Sequence, residues 1–207
     1  EFPADFGKNE GDKRLNGDFR TPEGIYNLTS VLEGKQLDYS QYGSLAFVLN
    51  YPNYFDRQLN KSGSGIWLHA IPETKNLQRG SRGCVVLTNE DIKKVRPYID
   101  LGKTPIIIER ELAWMATPAW NKTKDDLTKW IESWRQSWER KDLDQYMRYY
   151  SENFKAQNMG KTQWRKYKSR LNSAYEKIEI GVSEPLIMTH DDQIMIQFKQ
   201  DYKSAMH

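Results

Sequence analysis

Residues 81–85 read SRGCV and follow a turn-rich loop after an apolar run containing His69. Cys84 is the only cysteine among 207 residues. A thiol acts as a nucleophile in its thiolate form, and an imidazole such as His69 can take its proton. Gly83 permits a tight turn that aims successive N–H groups at a developing oxyanion. The residue types alone nevertheless favour a simpler interpretation, in which a lone cysteine beside valines is a small buried side chain.

The chain on both sides of this motif, up to about residue 110, is predicted to be β-rich. Short apolar runs are separated by Gly, Asn, Asp and Ser clusters, which is typical of strands joined by turns. The predicted strands cover residues 25–32, 45–51, 65–70, 84–87 and 105–108. One helix interrupts them, because Thr88 and Asp91 form a capping box, apolar residues follow at helical spacing, and Gly102 ends the pattern.

The second half of the chain has a different periodicity. Residues 117–124 are rich in Pro, Asn, Thr and Lys and predict a connector. Thr123 and Asp126 then predict the start of a helix, with three indoles on one stripe. Those indoles are Trp130, Trp134 and Trp138. Two more helices are predicted over 143–154 and 164–175, followed by strands at 178–182 and 186–189 and one long strand over 193–204.

Composition and charge exclude several classes of protein. The chain is 38% hydrophobic and 13% aromatic, which is too apolar for a disordered protein. Its 31 basic and 28 acidic residues give a net charge of +3, too small to indicate nucleic-acid binding. No apolar run approaches the length that spans a bilayer. We predict no metal and no cofactor, because His69, His190 and His207 are scattered without ligand spacing.

Three separated stretches carry a resemblance to a known family. They read GDFRTPEGIY at residues 17–26, GIWLH at 65–69 and SRGCV at 81–85. In order, spacing and residue type they resemble the YkuD-type L,D-transpeptidase catalytic domain. The resemblance implies a β-sandwich with one or more short helices, a Cys and His catalytic pair, and peptidoglycan stem peptides as substrate.

The aromatic pattern of residues 130–165 carries a second resemblance. It is similar to the α+β NTF2-like domain that follows the catalytic domain in cell-shape-determining L,D-carboxypeptidases and L,D-transpeptidases of Gram-negative bacteria. The two resemblances imply a catalytic domain over residues 1–115, a linker over 116–127 and an NTF2-like domain over 128–207. We also expect that the first strands of the catalytic domain and the last strand of the NTF2-like domain are missing from this stretch of chain.

The family resemblance assigns roles to individual residues. Cys84 would be the nucleophile and His69 its base, with the backbone carbonyl of Ala70 holding the imidazole. Many members have Gly at position 70, but the role needs only a main-chain oxygen. The backbone N–H groups of Gly83 and Cys84 would form the oxyanion hole.

Three further residues are predicted to bind the carboxylate-bearing substrate: Arg82, Arg79 and Ser81. Arg82 is the better placed of the two arginines, although an exposed loop arginine without a substrate role remains the alternative. Arg20 and the TPEG sequence after it are predicted to be structural, because Pro22 fixes φ and Gly24 permits a tight turn.

The implied reaction cleaves the bond between diaminopimelate and the terminal D-Ala of a tetrapeptide stem through a thioester acyl-enzyme. Water as the acceptor gives an L,D-carboxypeptidase, and an amine of a second stem gives an L,D-transpeptidase. Release of a protein linked to the stem is compatible with the same intermediate. The implied substrate predicts a periplasmic, exported protein of a Gram-negative bacterium, with peptidoglycan stem peptides as partner and no nucleic acid. An NTF2-like domain is also compatible with a homodimer.

An alternative function from another class is a non-catalytic binding module for an anionic polymer. Residues 161–170 interleave cations with aromatic side chains, as glycan-binding or nucleic-acid-binding surfaces do. The cations are Lys161, Arg165, Lys166, Lys168 and Arg170, and the aromatic residues are Trp164 and Tyr167. Helical spacing favours a different interpretation, in which the cations are solvated and the aromatic rings face the core.

Overall fold

The structure is a computed structural model that describes residues 1–111 and 116–206. The chain divides into two compact units. The N-terminal unit comprises Glu1–Leu112 with Thr189–Gln193, and the C-terminal unit comprises Ala113–Met188 with Ile194–His207. The predicted domain boundary at residue 115 lies outside the described residues.

The N-terminal unit is built on a five-stranded sheet in the order β4-β3-β2-β1-β5. Its strands are β1 (Gly24–Glu33), β2 (Leu45–Leu49), β3 (Trp67–Ile71), β4 (Val85–Thr88) and β5 (Pro105–Ile108). β3 and β4 run parallel, and the other neighbours are antiparallel. β1 pairs with β5 through its first residues and with β2 through its last, and the register shifts between Leu28 and Ser30. All five predicted strands are confirmed, as is the β-rich fold with short helices.

Three short helices flank this sheet: α1 (Tyr39–Tyr42), α2 (Tyr54–Gln58) and α3 (Asn89–Val95). The predicted cap of α3 is confirmed, because the Thr88 hydroxyl accepts from the Asp91 N–H at 3.1 Å. The helix ends earlier than predicted and passes into a 3-10 turn over Arg96–Tyr98. Pro97 is the reason, since it has no N–H with which to continue the α-helical pattern.

The two faces of this sheet have different roles. On β3, Leu68 and Ala70 point into the apolar core, and on β4 Val85 and Leu87 do the same. Side chains alternate along a strand, so the residues between them point to the opposite face. The core is covered by α3, whose Ile92 is fully buried. The opposite face is therefore available for a site.

The second half of the chain forms helices and strands, with one short hairpin between the second and the third helix. The helices are α4 (Thr117–Glu139), α5 (Leu143–Met147) and α6 (Lys161–Ala174). The strands are β6 (Lys155–Ala156), β7 (Met159–Gly160), β8 (Tyr175–Val182), β9 (Leu186–His190), β10 (Gln193–Gln197) and β11 (Gln200–Met206). β6 pairs with β7, β9 with β10, and β8 with β11. The predicted order of helices first and sheet afterwards holds for β8 to β11, but the short β6–β7 hairpin, which was not predicted, lies between α5 and α6.

The predicted connector over residues 117–124 is helical, because these residues form the first turns of α4. Pro118 lies in the first turn, where its missing N–H is not needed. Thr123, predicted as the cap, is inside the helix and its hydroxyl donates to the Ala119 carbonyl at 3.2 Å. Residues 117–124 therefore lengthen this helix.

The predicted long strand over 193–204 is also wrong. Strand β10 ends at Gln197, and the chain bends at Phe198 and Lys199. Two hydrogen bonds of 2.9 Å between Lys199 and Ser183 stabilise the bend. The bend contains no Gly or Pro, so the alternating apolar pattern did not predict it. The residues after it form β11, which pairs with β8 along its length. The second predicted helix is likewise shorter than expected, since α5 ends at Met147.

The core of the C-terminal unit is aromatic. Its buried members are Trp138, Tyr146, Met147, Ile178 and Ile180, and Trp134, Tyr150 and Trp164 pack against them. The indole of Trp134 donates to the Tyr150 hydroxyl at 2.9 Å, which satisfies both polar groups inside the core. Trp130 does not share this stripe as predicted, because it is 47% exposed and contacts Tyr149 instead.

Candidate active site

A cleft of about 1100 Å³ opens on the face of the N-terminal sheet that is opposite the core. Strand β3 contributes Trp67 and His69 to its wall, and the chain around the start of β4 contributes Cys84 and Val86. The loop between these strands lines the rest, together with α1 and the N-terminal segment. The predicted site residues in this cleft are Cys84, His69, Arg79, Ser81 and Arg82.

The strand register places the thiol and the imidazole on the same side of the sheet. His69 of β3 is the partner of Val86 in the parallel pairing with β4. Cys84 lies two residues before Val86, and residues two apart on an extended chain point to the same face. Both side chains therefore project into the cleft, as the sequence predicts.

His69 is 6% exposed, and its Nδ1 lies 2.6 Å from the carbonyl oxygen of Ala70. A carbonyl only accepts hydrogen bonds, so Nδ1 carries the hydrogen and Nε2 of the neutral ring is left as an acceptor. Burial lowers the pKa of His69, because the charged ring would lose hydration, and the bond to Ala70 partly opposes this. The resting imidazole is thus neutral and able to accept a proton.

Cys84 is partly buried, with its Sγ 3.7 Å from the Gly65 carbonyl oxygen. Burial raises the pKa of the thiol, although the backbone N–H of Trp67 and the charge of Lys13 act in the opposite direction. The thiol is therefore protonated at neutral pH, and a base is required to make it nucleophilic. The neutral His69 ring is such a base.

Gly83 is fixed by its surroundings. Its φ of 124° lies in the region that favours glycine, and a Cβ would lie 2.6 Å from the Arg20 carbonyl oxygen. The loop before Cys84 therefore packs directly on the backbone of the 17–26 motif. The Gly83 N–H donates to the Ser81 hydroxyl oxygen at 3.1 Å.

Ser81, predicted to bind substrate, forms hydrogen bonds within its own loop. Its hydroxyl donates to the Cys84 carbonyl at 2.7 Å and accepts from the Gly83 N–H. The only hydroxyl hydrogen is thus used within the loop, and none remains to bind a substrate. Because the Gly83 N–H has this internal partner, the Cys84 N–H is the remaining donor of the predicted oxyanion hole.

The two predicted arginines behave differently. Arg79 holds the N-terminal segment: its Nε donates to the Gly7 carbonyl at 3.0 Å, and its guanidinium lies 3.8 Å from Glu10 Oε1. These contacts with the N-terminal segment argue against the substrate-binding role predicted for Arg79. Arg82 is exposed at the cleft and, within residues 1–111 and 116–206, has no ion pair or hydrogen bond. It is the arginine left free to meet an anion.

Lys13 is a cleft residue that the sequence analysis missed. Its side chain is 3% exposed, and its Nζ donates to Asp18 at 2.6 Å and to the Leu15 carbonyl at 3.1 Å. Burial alone would raise the pKa of Asp18, but hydrogen bonds from Lys13 and from backbone N–H groups outweigh it and lower the pKa to about 2. The sequence could have indicated this ion pair, because Asp18 belongs to the 17–26 motif and Lys13 precedes it by five residues.

The cations of the predicted basic aromatic surface on α6 differ in exposure: Arg165, Lys166 and Arg170 are exposed, Lys161 is partly buried, and Lys168 is buried. Lys168 is 3% exposed, and its Nζ lies 3.2 Å from the centre of the Trp138 ring. Burial lowers the pKa of this lysine to about 7. Lys161 pairs with Glu152 at 2.7 Å and Arg165 pairs with Asp144 at 2.5 Å. The prediction is therefore wrong for Lys168, and Lys166 and Arg170 are the exposed cations that remain on this helix without an ion pair in the described structure.

Other kinds of site receive no support from the described part of the chain. Among residues 1–111 and 116–206, no three or more His, Cys, Asp or Glu side chains are grouped so that they could hold a metal ion. His207, one of the three histidines considered, lies outside the described residues. No helix in the same ranges has the length and apolar character needed to cross a bilayer.

The curled sheet, the Cys84 and His69 side chains on its open face, and the α+β unit that follows define a two-domain protein of the L,D-transpeptidase type. Comparison with protein families agrees with this class. The L,D-transpeptidase catalytic domain matches residues 1–108, and the Cds6 C-terminal NTF2-like domain matches residues 126–207. The chain belongs to the L,D-transpeptidase family, and the resemblances predicted from the sequence are confirmed.

Solved structures similar to nearly the whole chain include the following two. Bd1075 of Bdellovibrio bacteriovorus is 46% identical with a TM-score of 0.82, over 98% of this chain and 72% of that one. The helical cell shape determining protein Pgp2 (K307A mutant) of Campylobacter jejuni is 27% identical with a TM-score of 0.71, over 97% of this chain and 70% of that one. The comparison with curated proteins gives no match.

Proposed function

We propose that the chain is a cysteine-dependent acyltransferase that cleaves the bond between diaminopimelate and the terminal D-Ala of a peptidoglycan stem. The observation that carries the proposal is the position of the His69 ring, whose Nδ1 lies 2.6 Å from the Ala70 carbonyl oxygen on the same face of the sheet as Cys84. Membership of the L,D-transpeptidase family supports the substrate class.

The first half of the reaction makes a thioester. His69 Nε2 takes the proton of Cys84, and the thiolate sulfur attacks the carbonyl carbon of the scissile bond. The Cys84 N–H donates to the oxygen that becomes negative. When the intermediate collapses, the C–N bond breaks and the His69 imidazolium gives its proton to the departing D-Ala amine. The stem is then bound to Cys84 as a thioester, and His69 is neutral again.

The acceptor of the acyl group determines the product. Water, deprotonated by His69, attacks the thioester and releases a tripeptide stem, which is L,D-carboxypeptidase activity. An amine of a second stem in place of water gives a cross-link. We favour the carboxypeptidase reaction, because the second domain matches an NTF2-like model and resembles the domain that follows the catalytic domain in cell-shape-determining L,D-carboxypeptidases. Transpeptidation is the alternative.

Substrate recognition would use the free charge at the cleft. A stem peptide carries carboxylates, and the exposed guanidinium of Arg82 offers paired N–H donors of the geometry that carboxylates accept. We propose that the protein acts on this substrate in the periplasm of a Gram-negative bacterium. A homodimer through the NTF2-like domain stays a prediction, and light scattering of the purified protein tests it.

The proposal is tested by incubating the protein with disaccharide-tetrapeptide and following the products by mass spectrometry. Tripeptide and free D-Ala from the wild type, and neither from Cys84→Ala, support the carboxypeptidase reaction. Cross-linked dimers that require Cys84 assign transpeptidation instead. Turnover that survives in Cys84→Ala, with fold verified by circular dichroism, contradicts the proposal.

A further inference from the structure

Tyr42, the last residue of α1, lies against the proposed base. Its ring centre is 5.1 Å from that of His69 with the planes at 83°, and 4.9 Å from that of Trp67. The Tyr42 side chain also lines the cleft. His69 therefore has two restraints, the Ala70 carbonyl on Nδ1 and an aromatic ring set perpendicular to its plane.

The amide of Asn89 fixes the segment that carries Tyr42. Asn89 is 3% exposed, and its Oδ1 accepts from both the N–H and the hydroxyl of Ser44 at 2.8 Å. Its Nδ2 donates to the Tyr39 hydroxyl oxygen at 3.0 Å and to Glu73 Oε1 at 2.8 Å. Both hydrogens and both lone pairs of the amide are thus used. One side chain joins α1, the turn after it, the loop after β3 and the start of α3.

The turn after α1 rests on the residue that holds His69. Gly43 has φ of 62°, and a Cβ there would lie 2.7 Å from the Cβ of Ala70 and 2.6 Å from Asn89 Oδ1. The Tyr39 hydroxyl also donates to the Glu73 carboxylate. This bond, with that from Asn89, lowers the pKa of Glu73 to about 2, so the carboxylate is charged throughout the neutral range.

We propose that Tyr42 is a positioning residue for the base, and that the Asn89 lock, formed by Tyr39, Ser44, Glu73 and Asn89, holds its ring in place. The ring blocks rotation of the imidazole, which keeps Nδ1 on the Ala70 carbonyl and Nε2 toward Cys84. A perpendicular aromatic contact of this length is attractive as well as obstructive. The inference rests on the proposed roles of His69 and Cys84.

Other charged groups share this cleft and must be kept constant in a test. The titratable residues that line it with His69 are Asp5, Lys13, Lys75, Arg79, Arg82 and Cys84. Substitution of Tyr42 by Leu or Phe changes none of these charges. Cys84 is the only thiol of the chain, so its alkylation by iodoacetamide reports the site directly, whether or not the enzyme turns over.

The main test compares Tyr42→Leu with Tyr42→Phe. Tyr42→Leu is expected to lower kcat about tenfold to a hundredfold with KM nearly unchanged, because a misplaced base slows only the chemical step. It is also expected to slow Cys84 alkylation at pH 7 and to reduce the Nδ1–H tautomer of His69 in ¹⁵N NMR spectra. Tyr42→Phe keeps the ring and should resemble the wild type. Tyr54→Leu, which removes an exposed ring in contact with Phe55, is the matched control.

The lock is tested at the exposed residue Glu73, where folding is not at risk. Glu73→Ala should shift the same three measurements in the same direction as Tyr42→Leu, and Glu73→Gln, which keeps an acceptor for Asn89, should restore them. This pair decides the proposal if Tyr42→Leu does not fold. Unchanged tautomer and alkylation in a folded Tyr42→Leu or in Glu73→Ala would overturn it. A wild type without turnover would refute the proposed function, and these two measurements would still decide the role of Tyr42.

Discussion

Gly83 and Arg20 approach so closely that a Cβ on Gly83 would lie 2.6 Å from the Arg20 carbonyl oxygen. Arg20 belongs to the 17–26 motif and Gly83 to the 81–85 motif, so two separated stretches of sequence meet through their backbones beside Cys84. The Asp18 carboxylate supports this contact, because it accepts from the Arg20 N–H at 3.1 Å and from Lys13. The loop that presents the thiol is therefore shaped by main-chain packing.

Gly83→Ala is expected to destabilise the protein by about 2–4 kcal/mol, since it combines a strained φ with a backbone clash. Urea unfolding at pH 7 measures the change. Gly34→Ala is the control: Gly34 also has a positive φ, of 58°, but a Cβ there meets nothing within 4 Å. If both substitutions lower the free energy of unfolding by the same amount, the contact with Arg20 has no energetic role.

The sequence predicted the parts of the fold that depend on local pattern. Short apolar runs bounded by turn-forming residues located all five strands of the first sheet, and parallel pairing in the structure brings His69 and Cys84 to one face. The bend at Phe198 and Lys199 was not predictable in this way. It is held by hydrogen bonds to Ser183, which lies in another segment, and it contains no turn-forming residue.

The candidate site was predictable only in part. The two reactive side chains, Cys84 and His69, belong to motifs that can be recognised in the sequence. The partners of Arg79 and Ser81 are mainly backbone groups, and such partners cannot be inferred from residue types. The burial of Lys168 depends on rings from three helices that only the folded chain brings together, so a charged residue on an amphipathic helix was assigned to the surface.

Asp18→Asn is expected to destabilise the protein at pH 7 by about 2–4 kcal/mol, because it removes a carboxylate with a lowered pKa and leaves Lys13 buried without its partner. The pKa of Asp18 falls from 3.8 to about 2 on folding, so its contribution is complete above 3.8 and disappears as the pH drops toward 2. Urea unfolding at pH 7, 4 and 2.5 measures this. Asp100→Asn, in an exposed pair with Lys103, should change little. A pH-independent difference between Asp18→Asn and wild type contradicts the assignment.

Lys168→Met is expected to stabilise the protein near pH 6.5 by about 2 kcal/mol, because a buried ammonium is replaced by an apolar side chain of similar length. The contacts with Trp138 and Trp164 offset part of that cost in the wild type. Since folding lowers the pKa from 10.5 to about 7, the folded wild type binds fewer protons between these values and its stability rises with pH there.

This rise should be absent in Lys168→Met. Unfolding by urea, followed by tryptophan fluorescence at pH 6.5, 8 and 9.5, measures it. Lys166→Met changes an exposed lysine on the same helix and should follow the wild-type curve. A wild type whose stability does not depend on pH in this window would show that Lys168 keeps its ordinary pKa.

The pH dependence of Cys84 reactivity distinguishes the titration of the base, His69, from that of the thiol. Burial lowers the pKa of His69 below its ordinary value of 6.5 and raises that of Cys84. Alkylation by iodoacetamide should therefore decrease in the wild type only below the pH at which His69 becomes protonated. His69→Gln should react at least about tenfold more slowly at pH 7, with a rate that rises toward the high pKa of the thiol. Identical profiles for the two proteins would remove His69 from the mechanism.

Arg82→Gln is expected to raise KM for the tetrapeptide substrate about tenfold with kcat nearly unchanged, since a charge-assisted hydrogen bond to a carboxylate is worth about 1.5–3 kcal/mol. The exposed guanidinium has no partner within the described residues, so its replacement should leave stability unaffected. Arg79→Gln is the informative contrast. It removes the bond to the Gly7 carbonyl, and we expect it to lower the free energy of unfolding by about 1 kcal/mol with a smaller effect on KM. Steady-state kinetics and urea unfolding of both variants measure the difference, and a larger KM for Arg79→Gln than for Arg82→Gln would exchange the roles assigned to the two arginines.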